Sequence, residues 1–257
     1  MDTYQHLNAQ AWDYESRKGN FWTVGATDSQ VKRAKSGHPD IFLTPGHTLD
    51  QGWIRPFLGK RVLLLGSGGG QQAVLLAASG CQVTDLDISP AQLATDRSCA
   101  QRYGLEIETI QEDMQDLSCL GERTFDLIFN PTSTCFVQDV ERVYRECARH
   151  LPPGGTLMTS ATNPAIYMFD ERKALKNKLV VKYTIPYSDL HSLGRKQLEK
   201  MVRENDTFEF SHTVDNLVGG LCRAGFAITG FSTDSAENEA MDSFLHDCYF
   251  AIRAQKL

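Results

Sequence analysis

The chain has 257 residues, 41% of them hydrophobic and 23% charged, with a formal net charge of -6. That size suits one large α/β domain with an embellishment, or two small ones. The acidic balance argues against duplex DNA or bulk RNA as a partner, because phosphates call for a basic face. No apolar run reaches the roughly 18 residues of a membrane span. The N-terminus, MDTYQHLNAQAWDYESRKGN, lacks the apolar core and cleavage site of a secretory signal. Seven scattered cysteines form no CxxC pair and read as reduced thiols, several of them in the core. A cytoplasmic protein with no membrane partner is expected.

In chain order, residues 1–58 read as helices and loops ahead of a sheet. Val62 to Leu65 is a continuous apolar run, as a buried parallel strand requires. The glycine turn 66–70 follows, then a helix from Gln71 to Ser79 that stops at Gly80. Cys81 to Leu86 is a second strand. Ser89-Pro90-Ala91-Gln92 is a helix start in which Gln92 completes a capping box, and that helix runs to Tyr103 before Gly104. Leu105 to Ile110 and Phe125 to Phe129 are the third and fourth strands. Val140, Val143, Tyr144, Cys147 and Leu151 keep helical spacing up to Pro152-Pro153. Thr156 to Ser160 is the fifth strand. The alternation then breaks between Ala161 and about Ser211, where a strand pair (Leu179 to Tyr183 its clearest piece) and a charged helix at Arg195 to Arg203 are expected. A helix from Thr213 to Ala224, a strand at Phe226 to Phe231 and a last one at Cys248 to Arg253 complete the pattern. Regular alternation of this kind argues for a parallel sheet with helices on both faces.

The turn Gly66-Ser67-Gly68-Gly69-Gly70 sits between a strand and a helix. That arrangement lets a ligand touch backbone at a helix N-terminus, at the switch point of a doubly wound sheet. Alone it is a weak signal, since such turns also serve to pack helix on strand. Asp87 strengthens it: it ends the second strand 21 residues past Gly66, where a carboxylate accepts from both hydroxyls of a ribose. Gln71 stands where a dinucleotide fingerprint has its third glycine, and S-adenosylmethionine, having no phosphate, relaxes that requirement.

From about Gly59 to the C-terminus the chain resembles the class I S-adenosylmethionine-dependent methyltransferases, closest to the small-molecule branch that includes quinone and biotin-precursor methyltransferases. The resemblance rests on VLLLGSGGG, VTDLDIS, IQEDMQDL, FDLIFNPTS, LPPGGTLM and LCRAGFAITGF. It implies a Rossmann-like, doubly wound sheet of seven strands with the last antiparallel. It divides a single domain, 1–257, into an N-terminal helical cap (1–58), a cofactor-binding core (59–160), a substrate lid after strand five (161–212) and a C-terminal segment completing the sheet (213–257). By position, it implies that Gly66, Ser67, Gly68, Gly70 and Gln71 border the methionine part and ribose of S-adenosylmethionine. Asp87 and Ile88 would meet the ribose, Asp113 and Met114 the adenine, and Asn130 and Pro131 the region near the sulfonium. S-adenosylhomocysteine is the implied product.

Two positions depart from the family's pattern: Leu64 replaces an acid two residues before the first glycine, and Asp85 replaces a small residue two before the ribose acid. Asn130-Pro131-Thr132-Ser133 only half-resembles the signature of amino-group methyltransferases, lacking its aromatic residue. No cluster has zinc spacing and no acid follows strand four, so no metal is expected. No residue announces itself as a general base; His47, His191, His212, Tyr14, Tyr183 and Tyr187 are the candidates. Cap and lid are rich in aromatics: Tyr4, Trp12, Tyr14, Phe21, Trp22, Tyr167, Phe169, Tyr183 and Tyr187. Residues 170–182 carry a basic excess from Arg172, Lys173, Lys176, Lys178 and Lys182. The expected reaction is in-line methyl transfer to a small, apolar or aromatic acceptor; the basic run reads either as a solvated hairpin face or as a rim that suits an acceptor bearing a carboxylate or phosphate. A nucleic-acid or protein methyltransferase, an NAD(P)-dependent oxidoreductase and a non-catalytic S-adenosylmethionine-binding module remain open alternatives.

Overall fold

The computed structural model describes residues 3–235 and 239–257; residues 1–2, in the expected cap, and 236–238, in the expected C-terminal segment, lie outside the described residues. The first helix, α1 (Tyr4–Lys18), begins where the Thr3 hydroxyl accepts from the His6 N–H and ends at Gly19 in the left-handed region. Thr27 and Gln30 form a reciprocal capping box on α2 (Asp28–Lys35), and α3 (Gln51–Ile54) is a single turn. Then come β1 (Arg61–Leu65), α4 (Gln72–Ala78), β2 (Gln82–Asp87), α5 (Pro90–Tyr103) and β3 (Ile107–Gln111). The chain continues through β4 (Leu127–Asn130), α6 (Val140–Arg149) and β5 (Thr156–Thr162).

After β5 lie three short or exposed helices, α7 (Glu171–Ala174), α8 (Asp189–Ser192) and α9 (Arg195–Glu204). The expected strand over Leu179 to Tyr183 is absent: this stretch makes one isolated bridge, Phe169 to Val181, and Val181 is 70% exposed. Among the described residues the stretch's only neighbouring edge is the short segment 168–170, away from the sheet, and β-propensity depends on such neighbours. The expected helix from Thr213 to Ala224 divides into a π-helical turn, Asp215–Gly219, and α10 (Gly220–Arg223). At Gly220 a Cβ would come within 2.8 Å of the Glu141 side chain, so glycine lets this helix press against α6. The chain ends with β6 (Phe226–Asp234) and β7 (Tyr249–Lys256).

The seven strands lie in the order β3-β2-β1-β4-β5-β7-β6. β1 to β5 pair in parallel, and β7 runs antiparallel between β5 and β6. Side chains alternate across a strand. Val62 and Leu64 therefore enter the core on one face, with α2 and α4, while Leu63 and Leu65 enter the other, with α6 and α10. The unbroken VLLL run is the consequence of burial on both faces. Among the described residues no helix is long and apolar enough to cross a membrane.

Candidate active site

The glycine turn is held from below. Gly66 N–H donates to the Leu86 carbonyl at 2.9 Å, tying the turn to β2. Ser67 Oγ donates to Asp85 Oδ1 at 3.1 Å, Gly69 N–H to Gln92 Oε1 at 2.8 Å, and Gly70 N–H to Asp96 Oδ1 at 2.7 Å. The capping box expected at Gln92 is thus only half formed: Ser89 Oγ accepts from Gln92 N–H, but the Gln92 side chain is spent on the turn. The two departures from the family's pattern answer each other. Leu64 is fully buried and apolar, and carboxylates from β2 and α5 anchor the turn in place of the acid it replaces. Asp96 Oδ2 has no hydrogen-bond partner and the Asp85 carboxyl is its neighbour; burial raises both above the usual carboxylate range, and for Asp96 the Asp85 charge adds to it.

Above the turn, at the carboxyl ends of the parallel strands, lies a cavity of about 740 Å³. Gly66, Ser67, Gly68 and Gln71 line it from the turn, Asp87 and Ile88 from β2, Asp113 and Met114 from the loop after β3, and Pro131 from the end of β4. Asp87 is 8% exposed; its Oδ1 accepts from the Ser89 N–H at 2.8 Å. Burial, with Asp85 and Asp13 nearby, pushes its carboxyl up to about 7. Asp113 accepts from Gln115 N–H at 2.9 Å, which orients its carboxylate on the wall.

Two expected site residues stand behind this wall. The Asn130 amide is fully buried, donating to the Leu65 carbonyl at 2.9 Å and Ser133 Oγ at 2.8 Å and accepting from Thr159 Oγ1 at 3.1 Å. It clamps β1, β4 and β5 together. Gly70 meets the chain's own N-terminal segment: a Cβ there would lie 2.8 Å from Gly25 Cα, and Ala26 N–H donates to the Gly70 carbonyl at 2.7 Å. Gly68 is similarly approached by the Trp22 carbonyl, 2.5 Å from where a Cβ would stand. What comes close to these two glycines is therefore the segment after α1. The Gln71 side chain joins it by donating to the Phe21 carbonyl at 2.6 Å.

Helix α1 closes the cavity from the side. Asp13 accepts from Ser89 Oγ at 2.6 Å and Ala91 N–H at 3.0 Å, and so caps α5. Asn8 exchanges bonds with the Phe208 backbone at 3.0 and 2.7 Å.

The far half of the cavity is built from Cys135, Thr162, Tyr167, Tyr183, Tyr187 and Glu209. Tyr167 and Tyr187 stack with ring centroids 5.6 Å apart, and Tyr183 leans on Tyr187 at 4.9 Å. Tyr167 Oη donates to Glu209 Oε2 at 2.8 Å. Asp189 accepts from Tyr187 Oη and from the Glu209 N–H. Burial pushes the Glu209 carboxyl up to about 7. Of the basic run, only Arg172 and Lys182 reach the wall, and Lys182 Nζ is paired with Asp170 at 3.0 Å. Lys173, Lys176 and Lys178 are exposed and off it.

Among the six general-base candidates, Tyr183 and Tyr187 line this cavity. His47 bonds Asp234 beside a separate groove. His212 is buried with Nε2 at 2.9 Å from the Thr134 carbonyl, and burial lowers its pKa. His191 is exposed, and Tyr14 lies under Lys18. Glu209 and Asp189 had escaped the sequence reading; the one available signal is a glutamate alternating with two phenylalanines in Phe208-Glu209-Phe210.

A methyltransferase domain family matches residues 63–159. The uncharacterized methyltransferase YbaJ of Bacillus subtilis (strain 168) is 38% identical over 250 residues, 97% of each chain. The chain belongs to the class I S-adenosylmethionine-dependent methyltransferases. Shorter matches join it to a cypemycin N-terminal methyltransferase of a Streptomyces species, 35% identical over 48% of this chain and 51% of that protein. A ubiquinone biosynthesis O-methyltransferase of Cereibacter sphaeroides is 33% identical over 42% and 43%. Among solved structures, an S-adenosylmethionine-dependent methyltransferase from Mesorhizobium loti aligns with a TM-score of 0.60 at 22% identity, covering 80% of this chain and 97% of that one. At that identity the likeness is one of fold.

The protein is therefore an S-adenosylmethionine-dependent methyltransferase. The near half of the cavity suits that cofactor: bare backbone at Gly66 and Gly68 on its floor, and a half-bonded carboxylate at Asp87 on its wall.

Proposed function

We propose that this methyltransferase acts on a small-molecule acceptor, bound in the far half of the cavity while S-adenosylmethionine occupies the near half. The observation that carries the reading is the continuity of one cavity from Asp87 to Glu209. Its volume is that of a small-molecule site, not of a polypeptide or nucleic-acid groove. In this reading Asp87 and Ile88 hold the ribose, Asp113 and Met114 flank the adenine, and Gly66, Ser67 and Gly68 border the methionine part. Gly70, Gln71 and Asn130 act indirectly, by holding the turn, the cap and the ends of the strands. Residues 1–58 serve as cap and 161–212 as lid over the 59–160 core, with 213–257 completing the sheet. The seven cysteines, all free, fit a cytoplasmic setting.

The cofactor supplies an electrophilic methyl group on a sulfonium. The chain aligns the acceptor with that methyl for in-line displacement and excludes water with α1 and the lid, which lowers the barrier by several kcal/mol. The relatives named above span an O-methyltransferase and an N-terminal methyltransferase, so the acceptor atom has to come from this chain's own cavity.

Calorimetry tests the cofactor half. S-adenosylhomocysteine should bind and NAD should not. Asp87→Ala should lose roughly 1.5–3 kcal/mol of binding, the worth of hydrogen bonds to a charged group. Equal affinity for wild type and variant would show that the ribose is held elsewhere. Release of S-adenosylhomocysteine across a panel of small acceptors tests the other half; methylation of tRNA or protein alone would overturn the reading.

A further inference from the structure

We propose that the acceptor is an amine that enters as its ammonium ion and pairs with the Glu209 carboxylate inside a cage of tyrosines. The inference rests on the small-acceptor reading above and names the class of acceptor.

Glu209 combines features that a merely structural carboxylate seldom has. It lines the cavity, and its Oε2 accepts one bond, from Tyr167 Oη at 2.8 Å. Among the described residues no group bonds to Oε1. A carboxylate can accept about four hydrogen bonds, so most of its capacity is unfilled by the protein. The charged side chains acting on it are Asp189 and Glu171, both acidic, and no cation offsets them. A carboxylate withdrawn from water with no cation beside it is costly, and such groups are found paired. The ligand that completes this site is positively charged.

The surrounding rings agree. Tyr167 and Tyr187 stack at 5.6 Å and Tyr183 leans on Tyr187 at 4.9 Å. Aromatic faces of this kind attract an ammonium through their quadrupoles. Asp189 has both oxygens engaged, by Tyr187 Oη and by the Glu209 N–H, so it fixes the cage and leaves Glu209 as the carboxylate available to a ligand. The one lysine on this wall, Lys182, is already paired with Asp170. The other cation on the wall, the exposed Arg172, acts on Glu171 and Asp206 and not on Glu209, so an acceptor bearing a carboxylate or phosphate would meet Glu209 and Asp189 at this end of the cavity.

The chemistry balances without a further reactant. The ammonium nitrogen gives one proton to Glu209, leaving a neutral amine and a carboxylic acid. The nitrogen lone pair forms the N–C bond to the methyl carbon as the C–S bond breaks, its electron pair passing to sulfur. The products are the methylated ammonium ion and a neutral thioether, and the Glu209 proton leaves to water on opening. Burial drives the transfer from both sides, since it raises the pKa of a carboxyl and lowers that of an amine; Glu209 stands at about 7.

The test uses the full chain saturated with S-adenosylhomocysteine and three probes of similar shape: benzyltrimethylammonium, its neutral isostere neopentylbenzene, and phenylacetate. In calorimetry at about pH 8, the cation should bind at least about tenfold more tightly than the other two, as a carboxylate and aromatic cage require. Glu209→Gln should weaken the cation about tenfold or more while changing S-adenosylhomocysteine affinity less than about twofold, which also shows the variant to be folded. Lowering the pH to about 6 should weaken the cation for wild type and not for Glu209→Gln. With S-adenosylmethionine and a mixture of benzylic amines and phenols, mass spectrometry should find the added methyl on amines. Preference for phenylacetate or neopentylbenzene, cation binding indifferent to Glu209→Gln, or methyl found only on phenols would each overturn the inference and leave the parent reading standing. Failure of S-adenosylhomocysteine to bind would overturn both.

Discussion

Asp96 shows how much can depend on one proton. Its Oδ1 accepts from Gly70 N–H, and its neighbour is the Asp85 carboxyl, which in turn takes the Ser67 hydroxyl. Both carboxyls are raised by burial, so the folded chain binds protons more tightly than the unfolded one. The stabilisation is therefore complete below the ordinary carboxylate range and is lost as pH rises through the range where the folded pair ionises. Asn at position 96 would donate its amide to Asp85 and still accept from Gly70, reproducing the protonated state. Asp96→Asn is expected to be more stable than wild type by ~1–2 kcal/mol at about pH 8 and to flatten the fall of Tm between about pH 4 and 8. Thermal melts across that range would check it; a variant destabilised at every pH would show that the pair shares no proton. Asp87 is shifted in the same direction, but for binding the consequence has the opposite sign, because in the proposed pose the ionised carboxylate is the form that accepts from the ribose. Its carboxyl is pushed up to about 7, so S-adenosylhomocysteine affinity should rise with pH through about 7 and lose that dependence in Asp87→Asn.

In the proposed reading, helix α1 serves the cofactor side as much as the acceptor side. Asp13 caps α5, Tyr4 Oη accepts from Gln115 beside Asp113, and Asn8 holds the Phe208 backbone next to Glu209. The cap's own residues reach the glycine turn, since Trp22 and Gly25 pack on Gly68 and Gly70. Removing residues 1–20 is therefore expected to weaken S-adenosylhomocysteine binding about tenfold as well as to abolish acceptor turnover, because it strips the Asp13 cap, typically worth ~1 kcal/mol, and frees the segment over the turn. Asn8→Ala is the milder form: it leaves a buried N–H and carbonyl at Phe208 without partners, at a cost of roughly 1–3 kcal/mol in stability. Calorimetry and denaturant titration measure these effects. Unchanged cofactor affinity in the truncated chain would confine α1 to the acceptor half.

Across the whole molecule, stability is unevenly spread. β1 and β4 are sealed between two apolar layers, whereas the segment from α7 to Tyr187 exposes Leu175, Val181 and Ile185 and contributes no strand to the sheet. Regions with few buried contacts open locally at low free energy. Hydrogen exchange should find residues 172–186 fast and β1, β4 and β5 slowest. S-adenosylhomocysteine should slow exchange around Gly66 to Gln71 and Asp87 and raise Tm, by ~2.7 kcal/mol of stabilisation at a hundred times its Kd. A lid that exchanges as slowly as β4 without ligand would mean that it is part of the core.

The sequence by itself determined the sheet and the residues of the glycine turn and strand ends that line one end of the cavity, because both rest on local rules. VLLL followed by GSGGG, an acid 21 residues on, and the caps at Ser89 and Gly104 each depend on neighbours a few positions away. The tertiary structure decided everything that depends on distant partners. Leu179 to Tyr183 has strand composition but pairs with residues 168–170 through a single bridge and does not join the sheet. Gln92 caps its own helix in sequence terms and serves Gly69 in space. Asn130 sits at the expected strand end, yet its amide turns inward to β1 and β5. The acceptor end is the extreme case. Tyr167, Tyr187, Asp189 and Glu209 are brought together across more than 40 residues by a segment that, α9 aside, is mostly irregular, so no spacing in the chain announces them. Charge shows the difference most plainly: the basic run of 172–182 is visible in the sequence and lies mostly outside the cavity, while the carboxylates that line it become a cluster only on folding.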